Sequence, residues 1–550
     1  MLVIVPMSGT GTRFKEAGYT DPKPLINING KYMIEYVVEQ FSKEEDTFIF
    51  ICNKSHIKTT NMKNILDRIV KHKYIYEIDE HKLGPVYAIQ QVIHDIKRLN
   101  LKYKLDNDGV IVSYCDYGSV WDYNIFKEYI HTNNMDGCIL IYTGFHPSLL
   151  GKDEYGYIKV NKDNNVVEIQ EKKPYMENRF DEKTSNGCYY FRRLSLLENA
   201  IDELIDKEIM CKGEYFVSLL YNLLISEGYK IGYYTIDKML QFGTPDDLEK
   251  FIRWDSLFKK LNDNLRTTNS YGRLSNLLSN SSNNISEEHN NTILIQAMAG
   301  LGSRFNKYNL PKPLLYINNE HMFVNIVKQL PYCKKKYFIC QQEHEMRFNI
   351  SRIVNNNFNN TENNIVKTLN YLTEGQSSTV YTLKDEIDPN NSILITACDA
   401  GLIYNKLEYR KLINDKNVDV IVFASNKEEG TANNPTAYAW IVEDELSNIS
   451  KIYCKEYPFS DTPNNHKAIT GTFFFRKSSY FFENHERLVR KNIRVNNEFY
   501  IDQVINECIE SGLRVKSFVI EHYLNYGTPN DYMTYHYWNE YNVWRNKNKK

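Results

Sequence analysis

Val3-Ile4-Val5-Pro6-Met7-Ser8-Gly9-Thr10-Gly11-Thr12-Arg13-Phe14, with Asp21-Pro22-Lys23-Pro24-Leu25 close behind, opens the chain. It returns as Ile293-Leu294-Ile295-Gln296-Ala297-Met298-Ala299-Gly300-Leu301-Gly302-Ser303-Arg304-Phe305 with Pro311-Lys312-Pro313-Leu314. In each copy an apolar strand runs into a glycine loop, then an arginine, then a lysine between prolines. Gly9 and Gly11 let backbone N–H groups approach phosphate oxygens closely, and a helix beginning near Arg13 would add its positive end. A dinucleotide fingerprint would want a third glycine where Phe14 stands, and a P-loop would want Gly-Lys-Ser/Thr. Two fixed cations, Arg13 with Lys23 and Arg304 with Lys312, suit instead transfer at the α-phosphate of a nucleoside triphosphate.

The repeat continues in order. Gly84 and Gly375 lie 291 residues apart, Asp116 and Asp399 lie 283 apart, and Tyr155 and Tyr438 also lie 283 apart. An offset of 284 links Gly187 with Gly471, Glu214 with Glu498, and Gly243 with Gly527. Such collinearity is the mark of a duplicated domain rather than of short solenoid units. Residues 1–262 and 291–550 are the expected domains, and residues 263–290 the linker, rich in Ser and Asn around Ser279-Asn280-Ser281-Ser282. Short apolar runs such as Thr47-Phe48-Ile49-Phe50-Ile51 and Val110-Ile111-Val112 alternate with helical stretches such as Met33 to Phe41, which predicts an α/β fold with a mostly parallel sheet. In such sheets ligands gather at the carboxyl ends of strands, where the glycine loop and Asp116 both fall.

The bulk numbers agree with a multidomain globular protein: 550 residues, 42% hydrophobic and 25% charged, with net charge −2. No global field favours nucleic acid or an anionic membrane. Ten cysteines without CxxC pairs fit reduced thiols, and no secretion signal or membrane span is visible, so a cytoplasmic location is expected. The thirteen histidines form no HxH or HxxxH pair.

With these motifs the chain resembles the sugar-phosphate nucleotidyltransferases, the nucleotide-sugar pyrophosphorylases, through both halves. The resemblance implies two tandem Rossmann-like, GT-A-like sheets flanked by helices. It implies that Pro6, Met7, Gly9, Thr10, Gly11, Thr12 and Gly84 hold the nucleotide with Arg13 and Lys23, as would Ala299, Gly300, Gly302, Ser303 and Gly375 with Arg304 and Lys312. It implies Mg²⁺ on Asp116 and on Asp399, where a hard carboxylate oxygen suits a cation bridging phosphates. Many members carry a second acidic ligand two residues before Gly-Thr-Pro; here Gln241 and Asn525 stand there, each offering an amide oxygen.

The family's sugar side is matched in the first copy by Tyr155-Gly156, Glu171-Lys172-Lys173-Pro174, Gly187-Cys188-Tyr189 and Glu214. Glu171 would accept bonds from sugar hydroxyls while Lys172 or Lys173 neutralises the sugar phosphate. The second copy has Tyr438-Ala439 and Tyr453-Cys454-Lys455-Glu456 at these places, so its acceptor pocket is expected to differ. It would take another sugar, take a non-sugar phosphate, or bind nucleotide without turnover. The expected partners are an NTP and a sugar 1-phosphate, with the first copy active; oligomeric state, a homo-oligomer included, stays open. A glycosyltransferase would want Asp-x-Asp, whereas Asp116 precedes Tyr117-Gly118 and Asp399 precedes Ala400-Gly401. A cytidylyltransferase for a phosphorylated alcohol, or a nucleotide-binding regulatory module in one half, are the remaining alternatives.

Overall fold

The computed structural model describes residues 1–152, 154–267, 291–359, 361–426, 430–431 and 434–548. They form two compact units: Met1–Phe258 with His536–Lys550, and Lys259–Tyr535. Of the expected linker, residues 263–267 close the helix Pro245–Thr267, and residues 268–290 lie outside the described residues.

Each unit is built on a nine-stranded sheet. In the first, the strand Leu2–Met7 lies parallel to Thr47–Asn53 on one side and to Val110–Ser113 on the other. Leu2, Val3, Ile4 and Val5 are wholly buried, as a central parallel strand covered by helices on both faces requires. Beyond Val110–Ser113 the strand Thr184–Phe191 runs antiparallel and leads to the hairpin of Gly156–Val160 with Val166–Glu171. The second unit repeats the plan around Thr292–Ala297, parallel to Lys335–Gln341 and Ser392–Ala397. Its hairpin joins Ala439–Glu443 to Ile449–Cys454. The α/β architecture expected from the alternating pattern is therefore present twice. Among the described residues no helix is long and apolar enough to cross a membrane.

The last helix, Pro529–Asn548, contributes its residues from His536 onward to the first unit. There the Tyr537 hydroxyl donates to the Met239 carbonyl at 2.5 Å, and the Met239 N–H donates back to Tyr537 Oη at 3.1 Å. Trp538 and Tyr541 pack on Phe251, Lys238 pairs with Glu540 at 2.7 Å, and Arg545 pairs with Asp255. These contacts brace the strand Lys238–Gln241, which pairs with Tyr117–Val120 immediately after Asp116.

His146 completes this brace. Its Nδ1 accepts from the Ser148 N–H at 3.0 Å, so Nε2–H donates to the Met239 carbonyl at 3.1 Å. Burial lowers its pKa from 6.5 to about 4. Because folding depresses the pKa, the unfolded chain binds the proton first. The stability held by neutral His146 is full above about pH 6.5 and is lost as the pH falls towards 4, in all roughly 3 kcal/mol. Urea unfolding of the first unit is expected to weaken across that window, and His146→Gln, lower in stability at neutral pH, is expected to flatten the dependence.

Candidate active site

The strand Leu2–Met7 delivers its carboxyl end to the loop at Ser8–Gly11. A Cβ added at Gly9 would meet nothing within 4 Å, so the loop backbone faces open space. Gly11 has φ +64°, a left-handed turn, and a Cβ added there would lie 3.5 Å from Lys23 Cβ. Gly300 and Gly302 repeat both features, with Gly302 at φ +60° and Lys312 Cβ at 3.3 Å. The helix expected near Arg13 is a single turn, Thr12–Glu16, and its counterpart Ser303–Phe305 is a 3₁₀ turn. Too short to sum many peptide dipoles, these turns offer their N–H groups and little more.

Lys23 and Lys312 each head a 3₁₀ turn, Lys23–Leu25 and Lys312–Leu314, between prolines that fix the local φ. The Lys23 ammonium donates to Asp116 Oδ2 at 2.6 Å and to the Gly243 carbonyl at 3.0 Å. Lys312 is paired in the same way with Asp399 Oδ2. Burial opposes the Lys312 charge, but the Asp399 carboxylate outweighs it and raises the lysine's pKa. Asp116 and Asp399 are in turn fixed by their carbonyls, which accept from the N–H groups of Phe242 and Tyr526 at 3.1 and 2.9 Å. Lysine, aspartate and the Gly-Thr-Pro turn, far apart in sequence, thus meet in each copy. Arg13 and Arg304 stay exposed at the loop; Arg13 lies 3.7 Å from Glu154.

Gln241 and Asn525 stand beside these carboxylates: a Cβ on Gly243 would lie 2.8 Å from the Gln241 amide nitrogen and 3.6 Å from Asp116 Oδ2. Gln241 Oε1 is buried and has no hydrogen-bond partner among the described residues, whereas Asn525 Oδ1 accepts from the Gly527 N–H at 2.9 Å. Among the described residues no group of three or more His, Cys, Asp or Glu could hold a metal.

Gly84 has φ +88°, and a Cβ there would lie 2.8 Å from the Tyr215 carbonyl oxygen and 3.1 Å from Glu214 Cβ. Gly375 meets Phe499 and Glu498 in the same manner. The glycine is therefore demanded by close backbone approach to the segment carrying Glu214. Glu171 is half-buried, accepts from the Ser218 hydroxyl, and is pushed up to about 7 by burial, against Ser218 and Lys172. Lys172, at φ +57°, donates its N–H to the Tyr155 carbonyl at 2.7 Å and holds its ammonium 4.7 Å over the Phe216 ring. Tyr155 itself buries its ring against Tyr142, so only its backbone supports this corner. Gly156 faces Glu171 across the hairpin, and Gly187 has φ +93°, where an added Cβ would lie 3.1 Å from the Tyr114 ring.

Sequence reasoning missed His81. Its Nδ1 accepts from the Leu83 N–H at 3.3 Å, and its Nε2 bonds Ser8 Oγ at 3.1 Å, tying the glycine loop to the Gly84 turn. Burial lowers its pKa and favours the neutral ring this arrangement needs. The second copy has Ala299 and Leu372 at the positions 291 residues on.

The family model for nucleotidyl transferases matches residues 2–250, the whole of this loop, lysine, aspartate and hairpin set. Residues 2–250 are thus similar to the nucleotidyl transferase family. The chain is 24% identical over 174 residues to a D-glycero-alpha-D-manno-heptose 1-phosphate guanylyltransferase of Campylobacter jejuni, covering 31% of this chain and 69% of the relative. A protein of Sulfolobus acidocaldarius, provisionally named a mannose-1-phosphate guanyltransferase, is 25% identical over 209 residues, 36% of this chain and half the length of the relative. The crystal structure of a nucleoside-diphosphate-sugar pyrophosphorylase from Vibrio cholerae is 23% identical, covering 46% of this chain and 99% of that one with a TM-score of 0.38. The match supports nucleotidyl transfer as the chemistry of the first unit.

Proposed function

We propose that the chain transfers a nucleoside monophosphate from an NTP to a sugar 1-phosphate, and that the first copy carries this activity. An oxygen of the sugar phosphate forms a bond to the α-phosphorus while the bond to the bridging oxygen of the β-phosphate breaks. The products are an NDP-sugar and pyrophosphate, with no covalent enzyme intermediate. The observation that carries this reading is the Lys23 ammonium, held at 2.6 Å from Asp116 under a glycine loop that opens to free space. A fixed cation there stabilises charge that develops on the α-phosphate in the transition state, without reorganisation at the moment of reaction.

The donor set suits Mg²⁺, which takes one or two carboxylates and completes its octahedron with water and substrate phosphates. Asp116 would hold it, and the unpartnered Gln241 Oε1 supplies an amide oxygen beside it. When bound, the cation neutralises phosphate charge. In the second copy Asp399 would take this part, with Asn525 Oδ1 already engaged by its own turn.

On the acceptor side, Glu171 would receive sugar hydroxyls and Lys172 would offset the phosphate, with Glu214 and the Gly187 bend shaping the wall. The two relatives are named for guanylyl transfer to a heptose 1-phosphate and a mannose 1-phosphate, which supports a sugar 1-phosphate acceptor and puts GTP first among donors to try. Ten free thiols support a reducing compartment, the cytoplasm. The full chain with Mg²⁺, assayed for pyrophosphate release over a matrix of NTPs and sugar 1-phosphates, is expected to turn over at least one pair; silence across the matrix overturns the proposal.

A further inference from the structure

The two acceptor sides differ by a set of exchanges that belong together. Gly156 and Glu171 correspond to Ala439 and Cys454, each 283 residues on, and Ser218 corresponds to Asp502, 284 residues on. In the first copy Glu171 sits on the hairpin strand opposite Gly156 and accepts from Ser218, on the helix Val217–Ser226. In the second copy Cys454 sits on the hairpin strand opposite Ala439, and its thiol donates to Asp502 Oδ2 at 3.6 Å, on the helix Ile501–Glu510. Donor and acceptor have changed places. The carboxylate moves from strand to helix, and the donor moves from helix to strand.

The glycine change follows from the same exchange. A Cβ on Gly156 would lie 3.0 Å from Glu171 Oε1, so a strand glutamate leaves no comfortable room for alanine across the hairpin. With cysteine there instead, Ala439 fits.

The neighbours of the carboxylate keep their places. Lys455, like Lys172, follows the strand position with a left-handed φ, +58° against +57°. Its N–H donates to the Tyr438 carbonyl at 3.1 Å, and its ammonium lies 5.8 Å over the Tyr500 ring, the counterpart of Phe216. Asp502 is half-buried, as Glu171 is. A pocket released from function would lose its buried acid to an apolar residue at little cost, since a buried carboxylate must be desolvated.

We infer that Asp502 is the hydroxyl-binding carboxylate of a second acceptor site, in which the Lys455 corner takes a sugar 1-phosphate distinct in shape from that of the first copy. The inference rests on the nucleotidyl-transfer reading above. Because the acid reaches in from the helix on a shorter side chain, it meets a different hydroxyl position, and the two copies differ in acceptor preference rather than in having one.

Calorimetric titration of the full chain with mannose 1-phosphate and glucose 1-phosphate, with inorganic phosphate as control, tests this. Glu171→Gln is expected to remove one class of sites and leave another, and adding Asp502→Asn is expected to weaken the remainder by about tenfold or more, as loss of a charge-assisted hydrogen bond does. Asparagine keeps an acceptor for Cys454, so the fold is retained. Ala439→Gly, Cys454→Glu and Asp502→Ser combined transplant the first arrangement and are expected to restore binding with the first copy's preference. A single class of sites abolished by Glu171→Gln alone, or a remainder indifferent to Asp502→Asn, overturns the second site and leaves the first copy's function standing. Absence of binding to the unmodified chain overturns both.

Discussion

Lys23→Ala is expected to lower pyrophosphate release with the first copy's acceptor by about two to three orders of magnitude, the cost of removing one preorganised charge-stabilising donor. Lys23 is only 16% exposed, its turn is clamped between Pro22 and Pro24, and its ammonium has two fixed acceptors, Asp116 and the Gly243 carbonyl. Its position is therefore set before nucleotide arrives. Lys23→Arg is expected to recover little, because a planar guanidinium cannot occupy the same point between a carboxylate and a carbonyl. Steady-state rates at saturating NTP check both variants. The loss should fall on kcat more than on the KM for NTP if the cation acts chiefly on developing charge.

Ending the chain after Tyr535 is expected to have the largest effect on stability. The cut removes Trp538, which is 4% exposed against Phe251, along with Tyr537, Tyr541 and the Arg545–Asp255 pair. Emptying the Trp538 site alone costs about 3–5 kcal/mol, set against a total of about 5–15 kcal/mol for an ordinary domain. The first unit should then unfold at markedly lower urea, and amide exchange along Leu2–Met7 should accelerate, while Trp538→Ala gives a smaller shift of the same sign. An isolated 1–262 fragment is expected to inherit the defect. Its strand Lys238–Gln241 would have lost Tyr537, and with it the brace behind the Gly243 turn that Lys23 needs.

Much of this was legible in the sequence, for definite reasons. The glycine loops, the Pro-Lys-Pro turns and the strand-end aspartates carry short-range signals, and repetition at a nearly constant offset lifted each above coincidence. The structure brings Lys23 to Asp116 and Lys312 to Asp399, contacts that no local pattern states. Gly84 read as a ligand glycine, yet its positive φ and the Tyr215 backbone 2.8 Å from its absent Cβ already require it. The expected helix at Arg13 closes after one turn, with Gly18 at φ +88° just past its end. The last helix follows its own copy in sequence, yet its residues from His536 pack with the first unit, a long-range choice made by buried aromatics. The acid in the second acceptor corner escaped notice because Asp502 lies 48 residues from Cys454 and shares no motif with it.

The most direct test is pyrophosphate release by the full chain carrying Lys23→Ala and Lys312→Ala together, at the NTP and sugar 1-phosphate pair that the unmodified chain turns over fastest. Loss of substrate-dependent release to background is the predicted result, with the chain still folded by its urea transition. Release continuing at the unmodified rate would contradict nucleotidyl transfer at the two lysine–aspartate sites.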